Sequence, residues 1–439
     1  MKEEKNIVTN TEMIEKYLSK ILVASSNDFI LSIGDIESEY KKKIFIELDE
    51  TNFAHFYKYI YNFIKKDSKQ NGKNITLEFL NCEFTLPFLL TNELRSRYFQ
   101  NLSFKFGSCV FQNFIFRDDI LGGKIEFNLS EFKNNIYLRD SVFKETAKFY
   151  NCTFSNKLYL ENVTFEKLAD FFNTTFAKPV NFFKTDFFGN AVFSAATFKE
   201  NVLFTYSTID GALILRDTKI EKGIDLSLAI INGSILPYGL DIDDKNYEAD
   251  NSANLSTNGY DELIRSNVVP IRNKRETYRV IKYSFEQISS YIDALRFESL
   301  EKITYQEELK SRNIKWFNSD MLIFIFNNYS TRHKQSWKRG VWVTIRFAIT
   351  FYLFAILFYQ NYHLCLSWEC FEEFGSSILN HLIGVIIFLN PVHNPESILK
   401  LLNLQSTEYY FWFYLMDYVG RIFVGYGIYQ TVQAFRKFK

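Results

Sequence analysis

Residues 121–176 read LGGKIEFNLSEFKNNIYLRDSVFKETAKFYNCTFSNKLYLENVTFEKLADFFNTTF, and in them a large apolar residue returns at alternating steps of six and five. Every eleventh residue from Leu121 is Phe132, Phe143, Phe154, Phe165, Phe176, Phe187, Phe198, Ile209, Ile220 and Ile231. Six residues beyond the first ten of these stand Phe127, Leu138, Phe149, Leu160, Phe171, Phe182, Phe193, Phe204, Leu215 and Leu226. Apolar residues make up 47% of the chain, so an unbroken run of this length has a chance probability on the order of one in ten million. Steps of five and six at about 100° per residue would scatter around a helix, which excludes one. In an extended chain residues i and i−2 face the same side. The residues two before the first series are mostly small (Ser130, Ser141, Cys152, Thr174, Thr185), and those before the second are apolar throughout (Ile125, Ile136, Ala147, Leu158). Each segment of five or six therefore sends one large and one smaller side chain inward, while Lys, Asn, Glu and Asp between them face water. The solution is a solenoid whose coils stack equivalent side chains into ladders.

This repeat resembles the pentapeptide-repeat proteins, in which a central Leu or Phe follows a small residue by two, as in Ser141…Phe143, Cys152…Phe154 and Ala196…Phe198. The resemblance implies a right-handed quadrilateral β-helix with five residues per side. This chain adds one residue on every second side, an 11-residue 5+6 period, which makes 22 residues per coil if four sides persist. A corner would absorb the extra residue in the manner of a bulge. Residues 106–236 then form about six coils, a rod near 29 Å long at roughly 4.8 Å per coil. Cys82, Cys109 and Cys152 each precede a Phe by two and are expected as buried structural thiols, so the coil is expected to begin near Phe79.

Composition bounds the rest. The chain has 439 residues, 51 basic and 51 acidic. Zero net charge argues against nucleic-acid binding. Aromatic residues at 18% argue against disorder, and five cysteines argue against a disulfide scaffold. The opening MKEEKNIVTN lacks the apolar core of a secretory signal. Residues 11–24 read as an amphipathic helix, residues 44–48 as a strand and residues 53–63 as a second helix containing His55, together a small N-terminal α/β cap over residues 1–75. The solenoid occupies 76–240. Polar residues 241–273 read as a flexible linker. Helical periodicity through Tyr278, Ile281 and Phe285, then a second helix to about Arg312, predicts a helical hairpin segment over 274–330.

Residues 331–439 read as a C-terminal α-helical membrane domain. Two spanning helices are predicted at 341–359 and 409–434. The apolar segment 375–390 is too short to span and reads as re-entrant or interfacial. Arg332, Lys334, Lys338 and Arg339 precede the first span, and Arg436, Lys437 and Lys439 follow the last. Residues 361–408 carry Lys400 against Glu369, Glu372, Glu373, Glu396 and Glu408. The positive-inside rule puts both termini in the cytoplasm and this loop outside, with Cys365 and Cys370 on the oxidising side. Residues 424–427 (VGYG) match the letters of a potassium-channel filter, but a filter directly follows the dipping segment and precedes a complete final helix, whereas Phe388-Leu389-Asn390-Pro391-Val392-His393 follows the segment and 12 residues remain after Gly427; they read instead as small residues at a helix-packing surface. Arg421-Ile422, Gly425-Tyr426, Ile428-Tyr429-Gln430 and Ala434-Phe435-Arg436-Lys437, with Ser336-Trp337-Lys338-Arg339-Gly340, resemble a membrane-attached subgroup of bacterial pentapeptide-repeat proteins. That resemblance implies the inner membrane and no particular activity.

Asp417 and Arg421 share a helical face at i,i+4, and each alone at mid-membrane costs about 2.5–3.5 kcal/mol. They form the candidate intramembrane polar group with Arg346. Asp417 is expected to pair with Arg421, and the alternatives are a cross-helix pair with Arg346 or the lining of a polar cavity. No phosphate-cradling loop, nucleophile elbow or zinc spacing occurs, and His363, His381 and His393 stand eighteen and twelve residues apart. The sequence names no catalytic, cofactor-binding or metal-binding residue and no cofactor. The expectation is a non-enzymatic, membrane-anchored interaction scaffold. Its partners would be the lipid bilayer, an unidentified protein and a second copy through the membrane helices, with no nucleic acid. A channel- or transport-like oligomer is the alternative. Mimicry of DNA toward a topoisomerase needs an acidic rod, and residues 106–240 hold 14 basic and 15 acidic side chains.

Overall fold

The computed structural model describes residues 7–8, 22–24, 29–34, 44–46, 75–90, 102–244, 246–247, 249–250, 267–312, 318–357, 359, 371–403 and 411–436. The chain divides into two compact units, Met1–Ser289 and Ser290–Lys439.

The first unit is a four-sided β-solenoid. Following the chain from Glu131, strands Glu131–Phe132 lie on face I, Ile136–Tyr137 on face II, Val142–Phe143 on face III and Ala147–Tyr150 on face IV. Face I then resumes at Thr153–Phe154. The faces are sheets of ten, seven, six and ten strands. Partners across a sheet are parallel and one coil apart: Glu131 pairs with Thr153, Thr153 with Thr175, and Thr175 with Thr197. Such strands are too short to bury anything alone, and only stacking gives their backbone groups partners.

The ladder residues are interior. Phe132, Phe154, Phe176 and Phe198 stack on face I, with ring centroids 4.8, 5.1 and 4.6 Å apart and planes within 6° of parallel. Phe143, Phe165 and Phe187 stack on face III at 5.0 and 5.3 Å. The spacing of the strands sets the spacing of the rings, and parallel rings about 5 Å apart are offset-stacked, the favourable arrangement. Phe79 stacks on Phe106 at 5.1 Å, so the phenylalanine ladders reach back to the coil expected near Phe79.

Ten residues with positive φ, one every eleven residues from Asp118 to Asp217, mark the corners on the five-residue steps, while the extra residue falls on the intervening six-residue steps such as Phe132 to Leu138. Six of the ten are Asn or Asp, the side chains that best tolerate the left-handed region. The small inward residues are chosen for their hydroxyls as well as their size. Ser141 Oγ donates to the Phe116 carbonyl at 2.9 Å, Thr185 Oγ1 to Leu160 at 2.8 Å and Thr218 Oγ1 to Phe193 at 2.8 Å. Each bond ties one coil to the last and gives that buried hydroxyl a partner.

Before the rod, Phe29–Gly34 and Ile44–Ile46 extend faces IV and I in parallel with Ile75–Leu80 and Cys82–Phe84. Leu22–Ala24 is a strand antiparallel to Phe29–Gly34. This corrects the helix expected over 11–24 at its last three residues. The helical period there overlooked the turn-forming Ser25-Ser26-Asn27-Asp28 that separates the two strands in sequence. Residues 11–21 and the helix expected over 53–63 with His55 lie outside the described residues.

After the rod, Asp241–Ile242 pairs with Lys219–Ile220 on face I, and Ala249–Asp250 pairs with Val269–Pro270. Parts of the polar stretch 241–273 are thus in strands, and Tyr247 is buried. Helix α1 (Ile271–Gln287) lies against Ile224–Asp225 and Ser234–Leu236 through Tyr278, Ile281 and Phe285. Its polar side chains serve the last coil. Thr277 Oγ1 accepts the Leu226 amide at 2.9 Å, and Asn273 Nδ2 donates to buried Asp225 at 2.8 Å. Lys274 lies 3.3 Å from Asp244 and 4.6 Å above the Tyr247 ring. The cap occupies backbone groups that an open sheet edge would offer to another chain.

The second unit is helical: α2 (Tyr291–Ser311), α3 (Ser319–Thr331), α4 (Trp337–Leu357), α5 (Phe371–Phe388), α6 (Pro395–Leu401) and α7 (Phe411–Phe435). Helices α4 and α7 pack antiparallel along small residues, Gly340 against Thr431, Thr344 against Gly427 and Phe351 against Gly420. A Cβ on Gly427 would lie 2.4 Å from Thr344 Oγ1. Among the described residues, α4 is the one helix long and apolar enough to cross a membrane, and α5 contains a shorter apolar stretch, Leu379–Phe388.

Candidate functional site

Two places in the molecule hold chemistry beyond packing. The first is in the helical unit, where Asp417 is 2% exposed on α7. Arg421, one turn on, reaches Asp417 Oδ2 at 2.5 Å. His393 Nε2 lies 2.7 Å from Asp417 Oδ1. His393 sits in the turn between α5 and α6, and its Nδ1 lies 2.7 Å from the Asn390 carbonyl. Both ring nitrogens thus lie within hydrogen-bond distance of an oxygen. Arg421 Nε is buried without a partner among the described residues. The cluster answers the cost of a buried carboxylate by giving each oxygen a donor.

Sequence spacing placed Asp417 with Arg421, and the geometry brings them together. No sequence spacing joins His393 to this pair, because 24 residues separate it from Asp417. Arg346 is not part of the cluster. It is exposed on α4, away from the Gly340–Thr344–Phe351 stripe that meets α7, and no ion pair of its side chain occurs among the described residues. The cross-helix Asp417–Arg346 pair is thereby corrected. A second buried polar contact, Tyr352 Oη to His381 Nδ1 at 2.8 Å, ties α4 to α5.

The second place is the outside of the rod. On face IV the outward column in the middle of each strand is Glu78, Lys105, Glu126, Lys148 and Asp170, followed by Val192, Ile214 and Leu236. Signs alternate for five coils, with Lys148 3.6 Å from Glu126, and then the column turns apolar. Opposite charges directly across a ladder stabilise the pairing. Asp170 is raised by burial, and the Tyr150 hydroxyl beside it is pushed up to about 12, chiefly by burial and then by Asp170. Polar side chains run up two corners: Asn173 Nδ2 donates to Asn151 Oδ1 at 2.7 Å between faces IV and I, and Asn162 Nδ2 donates to Asp140 Oδ1 at 2.8 Å between faces II and III.

Cys82, Cys109 and Cys152 are buried thiols outside any disulfide. Burial pushes the Cys152 thiol up to about 12, and the neighbouring Cys109, with burial, holds Cys82 well above the ordinary thiol range. Neither is a thiolate at neutral pH, and so neither is a nucleophile. Cys365 and Cys370 lie outside the described residues. Among the described residues no group of three or more His, Cys, Asp or Glu side chains is placed to hold a metal ion.

A family profile described as Pentapeptide repeats matches residues 127–175 in nine copies. With the four parallel faces and the 22-residue register, this makes the rod a pentapeptide-repeat β-solenoid. Comparison with curated proteins and with solved structures finds no match.

Proposed function

We propose that the chain is a non-enzymatic interaction scaffold, its solenoid held at a membrane by the C-terminal helices. The observation that carries the reading is the surface of α4. Only 39% of its most apolar stretch is buried. Trp342, Leu353, Phe354 and Leu357 are exposed on it, as are Leu382 and Ile386 on α5 and Phe411, Trp412 and Ile422 on α7. A core helix of a water-soluble protein would hide such residues, whereas acyl chains would cover them. The fold resemblance supports the absence of catalysis, because pentapeptide repeats build their interior from packing alone.

In the fuller form of the proposal the chain is multi-pass in the bacterial inner membrane, with α4 and α7 spanning, residues 375–390 re-entrant or interfacial and both termini cytoplasmic. Basic residues before α4 and after α7 support that orientation. The bilayer and an unidentified protein are the partners, and helix-to-helix contacts between copies would use the exposed faces. Alkaline carbonate washing of membranes from expressing cells is expected to leave the full chain in the pellet. Crosslinking in those membranes is then expected to join a second protein to rod lysines such as Lys144 or Lys199. Recovery of the chain in the wash would overturn the anchoring.

A transport-like reading draws on the His393–Asp417–Arg421 cluster, since ionisable residues inside a bilayer commonly line ion paths. Ion flux through reconstituted protein that disappears in Asp417→Asn would favour it. Face IV alternates in sign, so it offers no acidic track of the kind DNA mimicry requires.

A further inference from the structure

A cavity of about 510 Å³ opens within the helical unit between α3, the turn before α4, and α7. Its wall is graded along α7. Ile422 and Phe423 line one end together with Ile323 and Phe326 of α3. Gln430 lines the other end, two turns closer to the C-terminus, with Lys302, His333 and Lys334. That polar end lies where α7 finishes beside the start of α4, since Trp337 stacks on Phe435 at 4.9 Å. Lys338, Arg339 and Arg436 flank the same end.

His333 is the unusual member. It is 2% exposed, yet neither ring nitrogen has a hydrogen-bond partner among the described residues, and it lines the cavity. A buried imidazole with both nitrogens unmet costs a few kcal/mol, which a ligand atom would relieve. The turn aims it inward: Arg332, His333 and Lys334 are all left-handed, and Thr331 Oγ1 accepts the Lys334 amide at 3.0 Å. The charge beside it is positive. Glu298, which does not line the cavity, bridges Lys302 at 2.5 Å and Lys334 at 3.2 Å, so two ammonium groups share one carboxylate.

We infer that this cavity binds an anionic phospholipid, its phosphodiester against His333, Lys302 and Lys334 and an acyl chain along Ile323, Phe326, Ile422 and Phe423. One surplus positive charge matches the single negative charge of a phosphodiester, and a neutral imidazole supplies an N–H to a phosphate oxygen. Ile323 and Ile422, 57% and 56% exposed, are walls that a chain would cover. The inference rests on the membrane reading for its biology, but the binding itself can be measured without a bilayer.

The test titrates dihexanoyl phosphatidylglycerol, below its micellar concentration, into the purified full-length protein by isothermal calorimetry. Dihexanoyl phosphatidylcholine and inorganic phosphate are run in parallel. Saturable binding of the phosphatidylglycerol, at least tenfold tighter than the other two, is expected. Lys302→Gln and His333→Phe should each weaken it tenfold or more without lowering the melting temperature. Where His333→Phe fails to fold, Lys302→Gln at the rim carries the comparison. Equal binding of the zwitterionic lipid, or full binding by the variants, overturns the site. Phosphate binding as tightly as the lipid overturns the lipid assignment and leaves an anion site. Failure of anchoring is a separate outcome, read from the carbonate wash.

Discussion

The rod turns at residues that pay a local conformational cost. Asn and Asp enter the left-handed region readily, but Leu129 occupies it with φ 52° while 61% exposed, and Ala195 and Tyr206 do the same. A side chain without a local hydrogen bond loses about 1–2 kcal/mol there. Leu129→Asn is therefore expected to stabilise the rod by about 1 kcal/mol in denaturant unfolding. Gly211→Ala should do the reverse, since its Cβ would lie 2.3 Å from the Gly189 carbonyl oxygen of the coil below. The period was legible, but which corners turn left-handed was not, because Leu129, Lys184, Ala195 and Tyr206 carry no corner signature. His333 was likewise invisible: nothing in Thr331-Arg332-His333-Lys334 announces a buried ring. Burial, and then the charge of Lys302, pull it down to about 4, with Glu298 opposing. A neutral base whose folded value lies below its unfolded value contributes fully above about pH 6.5 and loses stability as pH falls from there toward 4. The helical unit should lose up to about 3 kcal/mol across that window. His333→Gln should flatten the slope, measured as melting temperature against pH with Lys302, Lys334 and Glu298 intact.

Elements in this protein derive their stability from neighbours one coil away. Phe165 lies between Phe143 and Phe187, so Phe165→Ala removes two stacks and opens a void in an interior with nothing to collapse into it. A loss of about 3–5 kcal/mol is expected from chemical denaturation. The ladders were readable because their period survives any error in assigning single strands. Helix α1 was readable as a helix from Tyr278, Ile281 and Phe285, but its work as a cap was not. That work falls to Asn273, Lys274 and Thr277, whose partners Asp225, Asp244 and Leu226 stand far off in sequence. Asn273→Leu would leave Asp225, 2% exposed, without its amide donor and should cost about 1–3 kcal/mol.

At the scale of the molecule, a rod stabilised by stacking and a helical unit stabilised by close helix contact are separate compact bodies in one chain. Calorimetry of the full protein in mild detergent is expected to resolve two transitions, with Phe165→Ala lowering one and Asp417→Asn the other. Loss of the carboxylate charge leaves Arg421 and His393 facing a neutral amide, and breaking such a buried pair costs about 3–5 kcal/mol. Of that cluster, the i,i+4 pair was legible from spacing alone. The histidine was not, because it arrives through the α5–α6 turn and no periodicity links it to α7.

The register of the coils makes the rod a ruler. From Phe114 onward every layer is 22 residues and adds one strand spacing, so a duplication or loss of a whole layer there would leave each phenylalanine above its counterpart and each corner in place. Half a layer would not: it would set Phe165 in line with Phe154 and bring face III chain onto face I, ending the alternation of charge on face IV. Length in such a protein is therefore free to drift only in whole steps, and whatever the rod spans, it spans in multiples of about 4.8 Å.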